Sequence, residues 1–471
     1  MPDVGVAPFF IAGVTAAAAG THAPWFVLGA VLLSLACRTL DIEGWGLPVR
    51  GGAVGRAGVA FGPSAAAVAA AAQLLERVLF ASLVCLVFGR YVAALPVGLN
   101  LSLRFLGPAL NESGDLATVA AVGLLGFAWI RARLGYITDA NQAVGRTRVA
   151  VTVLVVVVSG ALIVVFSHPA EAAMRALSMF WTIPPGTLQN GPFALLLAFL
   201  FAFGHALPAV GSGDSLARAA GQLEPPRIRG VRRTLVILLI YGGFVTVSST
   251  FLFVWLLAPD QQQVWADIPL LGVLDHLPGP ALLRTLGTLG IVASGTLLLG
   301  QAARAGISGG ERMLAQLGQQ GGVPEALTVP HRRLGTLAKA IDTAAGTAAV
   351  ALLLSAGHVE WLAHAYTACL AWTLLLKVVV LFRIRRPRTE APFRVPANLR
   401  VGKDEWPAGL IGIGVVVAAT WLALVLRGDP ATIGASLALA GVAAVFPARR
   451  GACPRRHRMK ATRSKSSRHG R

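Results

Sequence analysis

Residues 192–203 are almost wholly apolar, and Gly204-His205-Ala206-Leu207-Pro208-Ala209-Val210-Gly211-Ser212-Gly213-Asp214 follows them directly. A helix in lipid satisfies its own backbone polar groups. Opening it there is tolerated where the freed groups face a cavity, a ligand or neighbouring helices. Freed N–H and C=O groups, with two half-helix dipoles aimed at them, can hold a carboxylate or an ammonium. The imidazole of His205 titrates near neutral pH and can carry a proton, or it donates a hydrogen bond to a facing backbone. Phe203, Gly204 and His205 are therefore candidate ligand-binding residues. The plain alternative is a kinked helix packed by its neighbours. Phe201 and Phe203 are an aromatic gate or ordinary packing.

A second place for chemistry is Glu76-Arg77, inside the apolar stretch 66–95. A charge at membrane depth costs at least about 2.5 kcal/mol by insertion scales, so such residues are seldom idle. Neighbours on a helix point about 100° apart and do not meet face to face. The expectation is that one faces a cavity and the other snorkels, or that both belong to a structural ion pair. Ser248, Ser249 and Thr250 either line a path or bond back to their own helix. Tyr366, Thr367 and Trp372 are gate candidates in 359–382, with His364 in the same segment. Asp342 and Lys377 read as helix-end residues that snorkel.

Other chemistries find little support. No G-x-x-x-x-G-K-[ST] phosphate cradle is present. No Ser-His-Asp set and no metal-ligand spacing stands out, so neither a metal nor a cofactor is expected. Asp41, Glu43 and Asp139 read as isolated loop carboxylates, without the pairing that a Mg²⁺-phosphate site needs. The four cysteines, Cys37, Cys85, Cys369 and Cys453, form no C-x-x-C pair and read as core filling.

The elements that must position these residues are membrane helices. Of 471 residues 55% are hydrophobic and only 13% charged, and the mean hydropathy is +0.68. That lies far outside soluble globular composition. Twelve apolar segments are read, each tens of ångströms long as a helix: 5–20, 24–40, 66–95, 115–132, 148–167, 192–213, 233–257, 282–303, 337–356, 359–382, 407–426 and 431–447. With alternate loops assigned to one side, 35 of the 41 Lys and Arg residues share the side of the N-terminus. The positive-inside rule makes that side the cytoplasm and places both termini there, in a multi-pass protein of the cell membrane. The formal charge of +20 follows this topology, so no nucleic-acid partner is expected. The tail 448–471 is basic and polar and reads as disordered. It touches anionic lipid headgroups or is only a stay-inside signal.

Four stretches carry a resemblance. Asn111-Glu112-Ser113-Gly114-Asp115-Leu116-Ala117 resembles an H-E-S-S-x-K-A-L element of a bacterial branch of the amino acid–polyamine–organocation permeases. Phe203-Gly204-His205-Ala206 through Asp214-Ser215-Leu216-Ala217 is similar to their F-G-H-A…S-G-E-E-S-L-A stretch. Pro330-His331-Arg332-Arg333-Leu334-Gly335-Thr336 resembles their P-H-R-R-F-G-T loop. Pro392-Phe393-Arg394-Val395-Pro396, with Asn398-Leu399-Arg400-Val401-Gly402, resembles the loop before their eleventh segment.

The resemblance implies an all-α integral membrane fold of about twelve helices. Its core is a five-plus-five inverted repeat, about 1–167 and 192–382, with two extra helices over 407–447. Segments 1 and 6 are then paired broken helices around a midplane site for an amino acid or a related organic cation. Gly13 and Pro8 of segment 1 join Phe203, Gly204 and His205 as substrate-binding candidates, and Glu76, Asp214 and Tyr366 are coupling or gating candidates. The function implied is secondary transport by alternating access, driven by protons or by exchange, without enzyme activity. Three departures are noted. Met1 lies a few residues before the first break, so either the chain starts upstream of Met1 or segment 1 lacks a half-helix. Gly213-Asp214 stands for a Glu-Glu pair. Ala305-Gly306-Ile307-Ser308-Gly309-Gly310 stands where an N-T-A-like start is usual. The alternative is a sensor or degenerate relative that does not transport.

Overall fold

A computed structural model of the chain describes residues 5–47, 52–98, 113–135, 140–167, 191–211, 227–319, 323–385, 394–401 and 404–445. Asn111, Glu112, Asp139, Asp214, Pro392, Phe393, residues 1–4 and the basic tail lie outside these.

Within the described residues each of the twelve apolar segments overlaps a helical element, and some helices run well past their apolar stretch, the one over 24–40 to Gly46 and the one over 282–303 to Gln319. A 3-10 turn at Ala7–Phe9 leads into α1 (Ile11–Ala19). α2 is Ala23–Gly46, α3 Gly52–Phe61, α4 Pro63–Gly98, α5 Ser113–Arg133 and α6 Ala140–Phe166. α7 (Gly191–Ala206) runs into a 3-10 turn, Leu207–Val210. α8 (Arg227–Leu256) is followed by two short helices, α9 (Pro259–Val264) and α10 (Pro269–Asp275). Then come α11 (Ala281–Gln319), α12 (Ala338–Leu354), α13 (Val359–Arg385), α14 (Ala408–Leu426) and α15 (Pro430–Val445). Between α13 and α14, β1 (Leu399–Val401) and β2 (Asp404–Trp406) form an antiparallel ribbon in which Arg400 pairs with Glu405. Among the described residues, eight helical stretches are long and apolar enough to cross a membrane by themselves, and Ile240–Leu256 and Pro430–Ala444 are shorter apolar helices.

Local chemistry fixes several ends. Gly20, at φ 54°, stops α1 in a conformation that side chains resist. Gly428, at φ 75°, turns the chain between α14 and α15. Asp429 then caps α15, its Oδ2 accepting from Thr432 N–H at 2.7 Å, with Pro430 as the first helical residue.

α4 is central, packing against α3, α5, α11, α12, α13 and α15. Small residues allow it. A Cβ on Gly89 would lie 2.0 Å from the Ala117 carbonyl oxygen, and one on Gly306 of α11 would lie 2.8 Å from Ala81 Cβ. Helices in lipid gain their association from such close contact, without a hydrophobic drive between them. The outer surface stays apolar, with Phe193 72% and Ile163 70% exposed. The glycines at 306, 309 and 310, a departure in sequence, seat α11 against α4 and Ala344 of α12.

Three expectations are corrected. Glu76 and Arg77 are 1% and 2% exposed, so neither snorkels, and Arg77 Nη2 comes 4.0 Å from Glu76 Oε1. Asp41 and Glu43 are not isolated loop carboxylates: both are buried on α2 and paired with α13. Lys377 does not snorkel: it is buried, with its Nζ 2.9 Å from Asp41 Oδ1. Periodicity cannot show the two pairs between α2 and α13, because their partners lie on different helices.

Candidate functional site

The break in α7 is real. The α-helix ends at Ala206, the 3-10 turn Leu207–Val210 contains Pro208, and Gly211 takes φ 61°, ψ 165°. The freed carbonyls have partners from neighbouring helices. Val210 O accepts from Ser34 Oγ at 2.7 Å and Arg38 Nη2 at 2.9 Å, both on α2. His205 O accepts from Thr15 Oγ1 of α1 at 3.4 Å. A guanidinium at the C-terminal end of a half-helix also suits the dipole there.

The first segment is broken too, with Pro8 inside its 3-10 turn and Val6–Phe10 all buried. Phe9 O accepts from Tyr91 Oη of α4 at 2.8 Å, and Tyr91 Oη accepts in turn from Leu270 N–H of α10. The Phe9 and Tyr91 rings meet edge to face, 5.5 Å between centroids. α1 starts at Ile11, so its first N–H groups, beside this turn, have no partner within the helix.

The candidate residues fall into separate roles. Pro8 and His205 sit at the breaks. Gly13 allows a close approach: a Cβ there would lie 1.8 Å from Ala266 O. Phe203 packs over Gly29 of α2, and Gly204 faces Leu424 of α14. Tyr366 is buried with its ring 5.5 Å from Phe80, well inside the core. Ser249, Thr250 and Thr367 bond back to their own helices.

Around His205 the fold gathers groups that spacing along the chain does not reveal. The His205 and His364 rings stand edge to face with centroids 4.3 Å apart. His205 Nδ1 lies 2.9 Å from Phe201 O, and His205 Nε2 lies 3.9 Å from Glu360 Oε1. His364 Nδ1 lies 3.0 Å from Asp429 Oδ1. Arg427 stacks its guanidinium 4.7 Å over the Phe201 ring. Burial pushes the Asp429 carboxyl up, but the hydrogen bonds from His364 and Thr432 outweigh it and hold the group down at about 2.

The far end of α13 is tied by charge. Arg385 grips both Glu43 oxygens, and Glu43 Oε2 accepts from Val395 N–H at 2.7 Å. The loop containing Val395 and Asn398 is thus held by α2 and by Arg385, which also reaches Asn398 Oδ1 at 3.3 Å. The Pro330–Thr336 loop folds on itself, His331 N–H donating to Thr336 O, and Thr336 Oγ1 caps Arg133 O at the end of α5. These two motifs serve as structural ties.

A search of the curated proteins found no match. A family model described as amino acid permease matches residues 2–446. That span covers both broken segments, every helix described above and nearly the whole sequence. The chain therefore belongs to the amino acid permease family, within the amino acid–polyamine–organocation superfamily.

Proposed function

We propose that the protein is a secondary active transporter that moves an amino acid or a related organic cation across the cell membrane by alternating access. Family membership supports the general reading, a transporter of amino acids or related substrates. The observation that carries the finer one is the pair of buried 3-10 turns beside α1 and α7, at Ala7–Phe9 and Leu207–Val210. Both turns are buried, so they answer no need for solvent.

In this reading the substrate carboxylate meets the N-terminal end of α1, where Pro8 sets the turn, and His205 stands at the second break. Gly13, Phe203 and Gly204 hold the helices that carry these groups. Glu76 is the coupling carboxylate, being buried on the central helix α4, and Tyr366 is a gate residue. Both termini are cytoplasmic, in keeping with the distribution of basic residues.

Uptake into proteoliposomes, with labelled amino acids and polyamines and with or without a pH gradient, tests this. Saturable uptake of one class is expected, and its absence across the panel would favour a non-transporting relative. Glu76→Gln should depress gradient-driven accumulation more than equilibrium exchange, and equal loss of both would remove Glu76 from coupling. His205→Ala should raise the apparent KM. An introduced cysteine near Gln262 should label from outside and one near Ser466 should not.

A further inference from the structure

We propose that His205, Glu360 and His364 form a binding site for a divalent transition-metal ion of the Zn²⁺ type, with Asp429 orienting His364 behind it. The three ligand atoms come within 4.8 Å of one another. They arise from two elements, the broken end of α7 and the first turns of α13.

The tautomers follow from the hydrogen bonds. Phe201 O can only accept, so His205 Nδ1 carries a proton, and in the neutral ring Nε2 then holds the lone pair. Asp429 already accepts from Thr432 N–H through Oδ2, and its Oδ1 faces His364 Nδ1 at 3.0 Å, so His364 also places its proton on Nδ1. Both Nε2 atoms are left as donors to a metal. An imidazole anchored through its other nitrogen by a carboxylate or a carbonyl is the usual arrangement around zinc ligands.

A second observation points the same way. His364 is 5% exposed, and its buried Nε2 has no hydrogen-bond partner among the described residues. An orphaned buried nitrogen costs free energy unless something fills it. Glu360, by contrast, has a side chain 55% exposed, which opens the site to solvent and gives an ion a route in.

The ligand set is two imidazoles and one carboxylate with a position left for water, a composition suited to Zn²⁺ and poorly suited to Mg²⁺ or Ca²⁺. Ligands about 2.1 Å from an ion stand closer together than these do. The site must therefore contract by roughly 1 Å on loading, and the exposed Glu360 side chain can supply most of that movement. Charge is favourable, since Glu360 and Asp429 outnumber Arg427, the nearby cation. Once bound, the ion pins the break of α7 to α13.

The test uses the full chain purified without a polyhistidine tag. Co²⁺ is titrated while visible absorption is followed, and Zn²⁺ is then added to displace it. One equivalent of Co²⁺ with tetrahedral-type absorption is expected, reversed by Zn²⁺ and unaffected by excess Mg²⁺ or Ca²⁺. His364→Ala should abolish that signal, and Asp429→Asn should weaken it about 10–100-fold. Because buried histidine variants can disturb folding, Glu360→Gln is the deciding variant: its side chain is exposed, and the variant should lose affinity at least tenfold while melting like the parent in the absence of metal. His276→Ala, remote from the cluster, should bind like the parent. No saturable signal in the parent, or equal binding by the parent and Glu360→Gln, overturns the site.

Discussion

The two ends of α13 bury charge in opposite ways. At one end Lys377 meets Asp41, and Arg385 meets Glu43, which also accepts from Val395 N–H. Acid and base are matched in number there and held at hydrogen-bond distance. At the other end two imidazoles and a half-exposed carboxylate stand within 4.8 Å of one another, and one buried ring nitrogen has no partner. The first arrangement is complete without a ligand and works as a fastening. The second leaves that nitrogen unmet, which is the ground of the metal site proposed above.

Breaking the fastened end should have the largest effect. Glu43→Ala leaves the half-buried Arg385 without its carboxylate and also strips an acceptor from Val395 N–H. Loss of one member of a buried pair costs about 3–5 kcal/mol, so little monodisperse protein should survive detergent extraction. Lys377→Ala should behave similarly by stranding Asp41, and combining it with Asp41→Ala should restore part of the melting temperature. Failure of the double variant to recover would show that the pair does not act as a unit.

Next in size is the seam at the α7 break. Arg38→Ala leaves the Val210 carbonyl with Ser34 alone, and Arg38→Ala with Ser34→Ala leaves it bare. An unmet buried acceptor costs about 1–3 kcal/mol, so thermal unfolding of the double variant should begin earlier than that of either single one. Gly13→Ala should cost a similar amount, about 1–3 kcal/mol for overpacking, because its methyl would fall 1.8 Å from Ala266 O. Gly346→Ala on α12 is the control: a Cβ there meets nothing within 4 Å, so the melting temperature should hold or rise slightly.

The smallest effect sharpens the open end. Asp429 has a carboxyl held at about 2 in the folded protein, below its ordinary value. Its contribution to stability is present above the ordinary carboxylate pKa and is lost as pH falls through that range toward 2. Melting curves of the parent and of Asp429→Asn should converge as pH drops from 5 to about 2. Parallel curves would mean that the group titrates alike folded and unfolded.

Much of this was legible in the sequence. The twelve apolar segments, and the break after Phe203, follow from runs of Leu, Val and Ala interrupted by Gly and Pro, a signal local to each segment. Glu76 stood out because a charge inside an apolar run is visible by itself. Its burial beside Arg77 was not visible, since snorkelling depends on which helices pack around the residue. The cluster at His205 was hidden for the same reason. Glu360, His364 and Asp429 are far from His205 in sequence, and the only early signal was a histidine and a glutamate one turn apart at the start of α13. Asp41 and Glu43 looked solvated because the apolar run of α2 fades before them, whereas the helix continues to Gly46 and carries both inward.

The hydrogen bonds at the α7 break have a mechanical consequence. Thr15 grips the His205 carbonyl from α1, Ser34 and Arg38 grip Val210 from α2, and Gly243 of α8 sits against Val31, where a Cβ would come within 3.0 Å. α7 cannot tilt away from α1 and α2 without rupturing three such bonds together. Displacing α7 from these neighbours would therefore strain the three hydrogen bonds together, so the break is cross-linked to α1 and α2 at once.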